Sequence, residues 1–265
     1  MKLNIFSDFH YCEFAEANVL KQAQDYYFTF LNRVANDSAD YIFSLGDLAT
    51  EGNINHYQTI EPLINQHKNF INVLGNHDTT YVSKKDIQNC FVAERYFVKE
   101  FEDFAIIVLD STKEFVLDNW GGIIDEEQLT WLKKEVTRLF NKNLIVLAHH
   151  PITYTTFNSD QPMASIENSQ TVKAILSLHQ KNNLFICGHV HYNSIVTKEN
   201  WTYIQLGAAI DTGSYLEVLI EPEYFRTHLK LAKGIQSFDK TFLEKVLHFT
   251  ANPNNEAMPD QHIPR

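Results

Sequence analysis

Five short apolar runs in this chain each stop, within a few residues, at an aspartate, an asparagine or a histidine. Leu3 to Phe6 leads to Asp8 and His10, and Tyr41 to Leu45 leads to Asp47. Phe70 to Leu74 leads to Asn76 and His77. Leu144 to Ala148 runs directly into His149 and His150, and Leu184 to Cys187 is followed by His189 and His191. Runs of this length read as buried strands. Between them lie helical spacings: Leu20, Ala23, Tyr27, Phe30 and Leu31; then Tyr57, Ile60, Leu63 and Ile64. A third stripe, Leu129, Leu132, Val136 and Leu139, follows Asp125 as N-cap, with Glu126 and Glu127 in the first turn. Strands alternating with helices predict an α/β fold. In open sheets of that class, ligands gather at the carboxyl ends of the strands. One or two such coincidences are ordinary turn chemistry; five constrain the whole design.

The remaining pattern fills in the frame. Phe104 to Leu109 predicts a further strand, stopping at Asp110 and Ser111, and Val172, Ile175 and Leu176 suggest a short helix. Residues 152–170 read as a polar loop. From Ser194 to Leu231 the pattern changes to short strands at 195–196, 203–206, 215–220 and 227–231. Residues 1–250 therefore read as one domain, and 251–265, rich in Asn, Pro and polar residues, as a loosely ordered tail.

Charge and cysteine usage exclude several function classes. The 33 acidic residues outnumber the 22 basic ones, for a net charge of -11, and no basic run is present. General nucleic-acid binding is not expected, because it needs clustered Lys and Arg. An anionic substrate would need local positive charge, which bound cations can supply. Cys12, Cys90 and Cys187 are widely spaced and form no CxxC pair, which predicts free thiols in a reducing compartment. No apolar run approaches the ~20 residues that cross a bilayer, and the N-terminus reads as a first strand rather than a leader. A cytoplasmic protein with no membrane partner is expected. The P-loop, GxGxxG, HExxH and GxSxG signatures are absent.

The polar cluster itself has a chemistry. Asp8, His10, Asp47, Asn76, His77, His149, His150, His189 and His191 include six of the 12 histidines. Carboxylate, amide oxygen and imidazole together suit transition metals such as Mn, Fe or Zn, whereas calcium would use oxygen almost alone. Asp8-Phe9-His10 and His189-Val190-His191 would each place two side chains on one side of an extended segment. Gly46, Gly75 and Gly188 each precede a candidate ligand or ligand motif, where they permit a tight turn. Alone, Asp-x-His is weak and Gly-Asp is common in turns. Gly75-Asn76-His77-Asp78 is more specific, and Gly188-His189-Val190-His191 after an apolar strand is strong. Jointly they predict a metal site.

In this order, the blocks resemble the signature of the calcineurin-like metallophosphoesterases, over about the first 190 of the 265 residues. The resemblance implies a four-layer fold, with two mixed β-sheets packed face to face and flanked by helices. It implies that Asp8, His10 and His191 hold one metal, that Asn76, His149 and His189 hold a second, and that Asp47 bridges both. Two divalent or trivalent ions (Mn, Fe or Zn) would be the cofactors. His149 matches the ligand through Pro151, with His150 lining the substrate pocket beside Asn76. His77 matches the family's non-ligand histidine, which contacts the phosphate or the leaving oxygen, and Asp78 either orients it or stabilises the turn.

Within the family the closest resemblance is to the bacterial cyclic-nucleotide and glycerophosphodiester phosphodiesterases. It rests on His149-His150-Pro151, on Cys187 to His191, and on Gly122 to Leu132 with Gln128, Leu129 and Trp131. The arginines that protein phosphatases carry around Asp47 and Asn76 are missing, while the loop from Ile152 to Asn168 departs from the branch. The expectation is hydrolysis of a small phosphodiester by a hydroxide bridging two metals. A phosphomonoesterase or nucleic-acid phosphodiesterase of the same fold is the enzymic alternative, and a metal-free scaffold is the non-enzymic one. His56, His67, His179, His228, His248 and His262 read as surface or core residues, and Cys12 as a packing residue.

Overall fold

Side-chain alternation along the central strands decides the architecture, and it is visible in which core each residue joins. The computed structural model describes residues 1–67, 69–90, 94–252, 255 and 257–265. In β5 (Phe104–Val108), Ile106 and Val108 face one apolar cluster while Ala105 and Ile107 face another. The same division holds in β6 (Asn143–Leu147), with Ile145 and Leu147 against Leu144 and Val146, and in β7 (Asn183–Cys187), with Leu184 and Ile186 against Phe185 and Cys187. Strands with two buried faces need cover on both sides, which explains runs that are apolar throughout.

The cover is a second sheet on one side and helices on the other. The first sheet has the order β12 (Gln261–Pro264), β11 (Tyr224–Leu231), β10 (Ser214–Ile220), β1 (Lys2–Phe6), β2 (Tyr41–Ser44) and β3 (Phe70–Asn72). The second has β4 (Phe97–Glu100), then β5, β6 and β7, then β9 (Trp201–Gln205) and β8 (Ser194–Lys198). Strands β1, β2 and β3 run parallel, as do β5, β6, β7 and β9, while β10, β11, β12, β4 and β8 pair antiparallel. Both sheets are mixed. Leu3, Ile5, Phe43, Val218 and Phe225 of the first meet Ile106, Ile145, Leu184 and Ile204 of the second in one shared core.

Helices α1 (Ala17–Ala35) and α2 (Ile54–Ile64) cover the outer face of the first sheet through Ala23, Tyr27, Phe30, Tyr57 and Ile60. Two short helices follow β3: α3 (Asn76–Thr79) and α4 (Lys84–Gln88). Helix α5 (Glu126–Arg138) is capped by Asp125, whose carboxylate accepts from Gln128 N at 2.8 Å. With α6 (Ser169–Leu176) it covers the second sheet through Leu129, Leu132, Val136, Val172 and Leu176. A last short helix, α7 (Ala209–Thr212), precedes β10. The result is the expected four-layer α/β fold. No helix among the described residues is long and apolar enough to cross a membrane.

Two strands escape the sequence patterns. β4 is an edge strand with a half-buried Phe-Val-Lys-Glu sequence, too short and too mixed to register as a run. β12 lies within 251–265, where loose order was expected. Ile263 and Met258 enter the central core, and the guanidinium of Arg265 sits over the rings of Phe104 (5.7 Å) and Phe225 (5.3 Å). Two apolar anchors and one stacked cation outweigh a polar composition. Removing residues 258–265 should therefore cost about 3 kcal/mol or more, at roughly 1.5–3 kcal/mol per buried apolar side chain. A urea midpoint unchanged by the truncation would contradict this account.

Candidate metal centre

The parallel strands of both sheets deliver their carboxyl ends to one place. Asp8 and His10 follow β1, Asp47 follows β2, and Asn76 and His77 open α3 just after β3. His149 and His150 follow β6 across the interface, and His189 and His191 follow β7. Backbone bonds lock these loops together: Asp8 N donates to Gly46 O (3.1 Å), His10 N to Asp47 O (2.8 Å) and Gly188 N to His149 O (2.9 Å). A Cβ on Gly188 would collide with Ser7 Oγ and Asp8 Oδ2, so only glycine lets β7 approach the Asp8 loop.

The local geometry is not the one that spacing suggested. Asp8 (φ 55°), His10 (φ 48°), Asp47 (φ 51°), His189 (φ 70°) and His191 (φ 60°) all adopt left-handed backbone conformations. Asp-x-His and His-x-His therefore converge through tight turns beyond the strand ends, and not through the alternation of an extended segment. Such conformations cost non-glycine residues about 1–2 kcal/mol each and concentrate where function demands them.

Side-chain oxygens and nitrogens meet in two groups joined by one carboxylate. His191 Nε2 lies 3.3 Å from Asp8 Oδ1 and 3.3 Å from His10 Nε2. His149 Nε2 lies 2.9 Å from Asn76 Oδ1 and 3.2 Å from His189 Nδ1. Between them, Asp47 Oδ2 is 3.3 Å from His149 Nε2 and 3.9 Å from His10 Nε2. Donor atoms of Asp8, His10 and His191 lie within 4.8 Å of one another, as do those of Asp8, Asp47 and His149, and those of His149, His150 and His189. Asp8 Oδ1 is buried without a hydrogen-bond partner, and two imidazole nitrogens facing each other need a proton or a cation between them. These donors fit a transition-metal pair.

Backbone carbonyls set the orientation of the rings. A carbonyl only accepts, so the nitrogen facing it carries the proton and the other is left for a ligand. His149 Nδ1 donates to Leu45 O (2.8 Å), which leaves Nε2 for the cluster. His189 Nε2 donates to Met163 O (3.0 Å), which leaves Nδ1. His77 Nδ1 donates to Thr50 O (2.6 Å), which leaves Nε2. His150 differs: Nε2 donates to Trp120 O (2.8 Å) and Nδ1 pairs with the Ser111 hydroxyl (2.8 Å). It is fully buried behind His189, with both nitrogens engaged.

The Asp78 carboxylate is engaged by the turn and by Tyr57. Its Oδ2 accepts from Gly75 N (2.9 Å), and its Oδ1 accepts from Leu48 N (3.0 Å) and the Tyr57 hydroxyl (2.6 Å), so it braces the turn. Cys12 packs toward Tyr27, as expected of a small core residue. Sequence reasoning missed Ser111 and the carbonyls of Leu45, Thr50, Trp120 and Met163. A serine signals little by itself, and backbone acceptors carry no sequence signal.

Charge in the cluster is strongly organised. Burial opposes ionisation of Asp8, but the neighbouring His191 overrides it and holds the carboxyl at about 2. Asp47 is likewise held well below its usual value, with His149 and His77 overcoming burial. Burial disfavours charged His149, yet Asp47 beside it prevails and raises the imidazole to about 9. His10 falls to about 3 through burial and the nearby His77, and His189 to about 4 through burial and His149. Two ionised carboxylates thus face the neutral rings of His10 and His189, which have lone pairs to give, while the raised His149 holds a proton that a cation could displace.

A cleft of about 710 Å³ opens above this floor. Asp47, Thr50, Asn76, His77, His189 and His191 form its polar side, and Tyr81, Val116, Leu117, Trp120 and Pro162 its apolar walls. No lysine or arginine lines it among the described residues. His248, read from sequence as surface or core, is one of its lining residues.

A family model described as calcineurin-like phosphoesterase matches residues 1–193, the stretch that carries every donor above. The chain is 29% identical over 164 residues to a probable cyclic nucleotide phosphodiesterase of Moraxella catarrhalis (strain BBH18), which is 55% of this chain and 56% of that protein. It is 28% identical over 156 residues to the 3',5'-cyclic adenosine monophosphate phosphodiesterase CpdA of Escherichia coli (strain K12), covering 57% and 54%. The chain thus spans little more than half the length of these curated relatives. A dimetal phosphatase from Danio rerio superposes with a TM-score of 0.71 at 16% identity, over 86% of this chain and 95% of that one, a likeness of fold. Sequence model, strand order and the convergence of donors at the strand ends agree: the chain belongs to the calcineurin-like phosphoesterase family.

Proposed function

We propose that this protein is a dinuclear metal-dependent phosphodiesterase acting on small phosphodiesters of the cyclic-nucleotide or glycerophosphodiester type. The observation that supports the reading is the convergence of O and N donors from Asp8, His10, Asp47, Asn76, His149, His189 and His191 at the strand ends, with Asp47 Oδ2 3.3 Å from His149 Nε2 and 3.9 Å from His10 Nε2. Asp8, His10 and His191 would hold one cation, Asn76, His149 and His189 the other, and Asp47 both. Mn, Fe or Zn suits such mixed donors. When bound, the pair supplies Lewis-acid charge for phosphoryl oxygens and lowers the pKa of a water for in-line attack.

The chain's own residues do the rest. Asn76 and His77 lie on the cleft wall beside Asp47, within reach of a phosphoryl group on the floor. His77 Nδ1 is committed to Thr50 O, so a proton passed to the departing oxygen comes from Nε2. With no guanidinium or ammonium on the lining among the described residues, a diester's single negative charge is easier to meet than a monoester's two. The same lack disfavours a nucleic-acid strand, whose backbone needs a basic groove. The names of the curated relatives support the diester reading. His150, engaged on both nitrogens, supports the floor from behind His189.

With manganese, bis-nitrophenyl phosphate, cyclic AMP and a glycerophosphodiester should all be cleaved faster than a nitrophenyl monoester; a clear monoester preference would sink the diester assignment. Asp47→Ala should lower kcat/KM by on the order of 10³-fold or more, as loss of a main charge-stabilising group does. His77→Ala should cost about 10²–10⁴-fold on alkyl leaving groups and much less on nitrophenolate, which departs unaided; equal losses on both would remove its role as proton donor. Manganese at about 100 times its Kd should stabilise the fold by roughly 2.7 kcal/mol, read as a raised thermal midpoint that Asp47→Ala loses.

A further inference from the structure

Beyond the family-matched residues 1–193, the chain returns to the metal centre. After β11, Phe242, Leu243 and Val246 anchor the backbone in the core beneath α1. The next residues pass over the site: His248 and Thr250 line the cleft, and the Phe249 ring lies 5.4 Å from His10 and 5.2 Å from His191. The Phe249 and His191 planes are inclined by only 34°, so the phenyl ring shields one side of that imidazole.

Asn255 holds the same turn from the other side. Its Nδ2 donates to His191 O (3.0 Å) and its Oδ1 accepts from Asn193 N (2.7 Å). One carboxamide thus bridges Tyr192, from the backbone oxygen of the left-handed His191 to the backbone nitrogen of Asn193. Room is made for it at Gly207, where a Cβ would strike Asn255 Nδ2. Asn193 Oδ1 accepts from Gly207 N (2.8 Å), closing the arrangement. Upstream, Asn252 N donates to Asp211 Oδ2 (2.6 Å), which ties the segment to α7.

We infer that Phe249 and Asn255 are positioning residues for one half of the metal centre, the half formed by Asp8, His10 and His191. They act by fixing the ring plane and backbone of His191. The inference rests on the dinuclear reading above and adds an asymmetry to it: among the described residues, both hold the His191 side of the centre and neither is bonded to or stacked on Asn76, His149 or His189. Outer groups that orient a ligand are worth about 10–100-fold in metal affinity.

The test is calorimetric titration of manganese into the metal-stripped full chain, alongside thermal unfolding. Wild type should take up two equivalents. Phe249→Ala and Asn255→Ala should each weaken one of the two binding events by about 10–100-fold while leaving the other and the metal-free midpoint near wild type. Phe249→Tyr, which keeps the ring, should restore the affinity, whereas Asn255→Asp, which loses the donor, should not. In double variants the effect should persist with His189→Ala and vanish with His191→Ala. Two undisturbed binding events in both alanine variants would overturn the inference, as would equal weakening in the two double-variant backgrounds. A wild-type chain that takes up no manganese would overturn the dinuclear reading and this inference together.

Discussion

Asp47 is the group on which the rest of the arrangement turns. Its Oδ1 accepts from His77 N at 2.8 Å, its Oδ2 lies between His149 and His10, and its backbone oxygen accepts from His10 N at 2.8 Å. One residue therefore joins loops from both sheets. A buried carboxylate without a positive partner costs several kcal/mol, and Asp47 is only 1% exposed. Its charge is offset by raised His149, and a cation at the same spot would do so better, because Asp8 contributes a second buried carboxylate. The burial that makes the pair expensive alone makes it a strong cation trap.

Holding these charges together requires strain, and the strain explains the scaffold. Asp8, His10, Asp47, His189 and His191 occupy left-handed conformations at about 1–2 kcal/mol each. The total is comparable to the ~5–15 kcal/mol by which a typical domain is stable. Three apolar clusters, one between the sheets and one outside each, give the strands no freedom to relax that strain. Cross-loop bonds such as Gly188 N to His149 O then fix the turns one against another. A large, regular core is what lets a few irregular residues stay where chemistry needs them.

What the sequence revealed and what it hid follow a physical divide. Apolar runs on strands buried on both faces are legible because most residues in them must be apolar. Donor residues are legible because only a few side chains bind transition metals. Hidden were features that depend on backbone or on distant partners. The turns at Asp8–His10 and His189–His191 are left-handed rather than extended, a property of tertiary contacts. The orienting groups for His149, His77 and His189 are carbonyls of Leu45, Thr50 and Met163, which any residue could supply. Sequence left Asp78 either orienting His77 or stabilising the turn, and only the opening of α3, which directs its oxygens to Gly75, Leu48 and Tyr57, separates the two. β12 and the turn-holding Asn255 sit in a stretch whose polar composition masks the few residues that anchor it.

Floor and walls of the cleft have different origins. The donors sit at strand ends, whose positions the two sheets dictate. Tyr81, Val116, Leu117, Trp120, Pro162, Ala164, His248 and Thr250 lie on connections and on the segment after β11, none bearing a formal positive charge beyond what a histidine can carry. Loops of this kind can change without disturbing the metal floor. In a chain of net charge -11 there is also no long-range pull on an anion. On the proposed reading, a phosphoester would be recognised at short range, by cations acting on its phosphoryl oxygens and by apolar walls acting on its organic groups. Under the proposal, that arrangement would reward substrates with apolar or planar substituents and little charge beyond the single negative one that a diester carries.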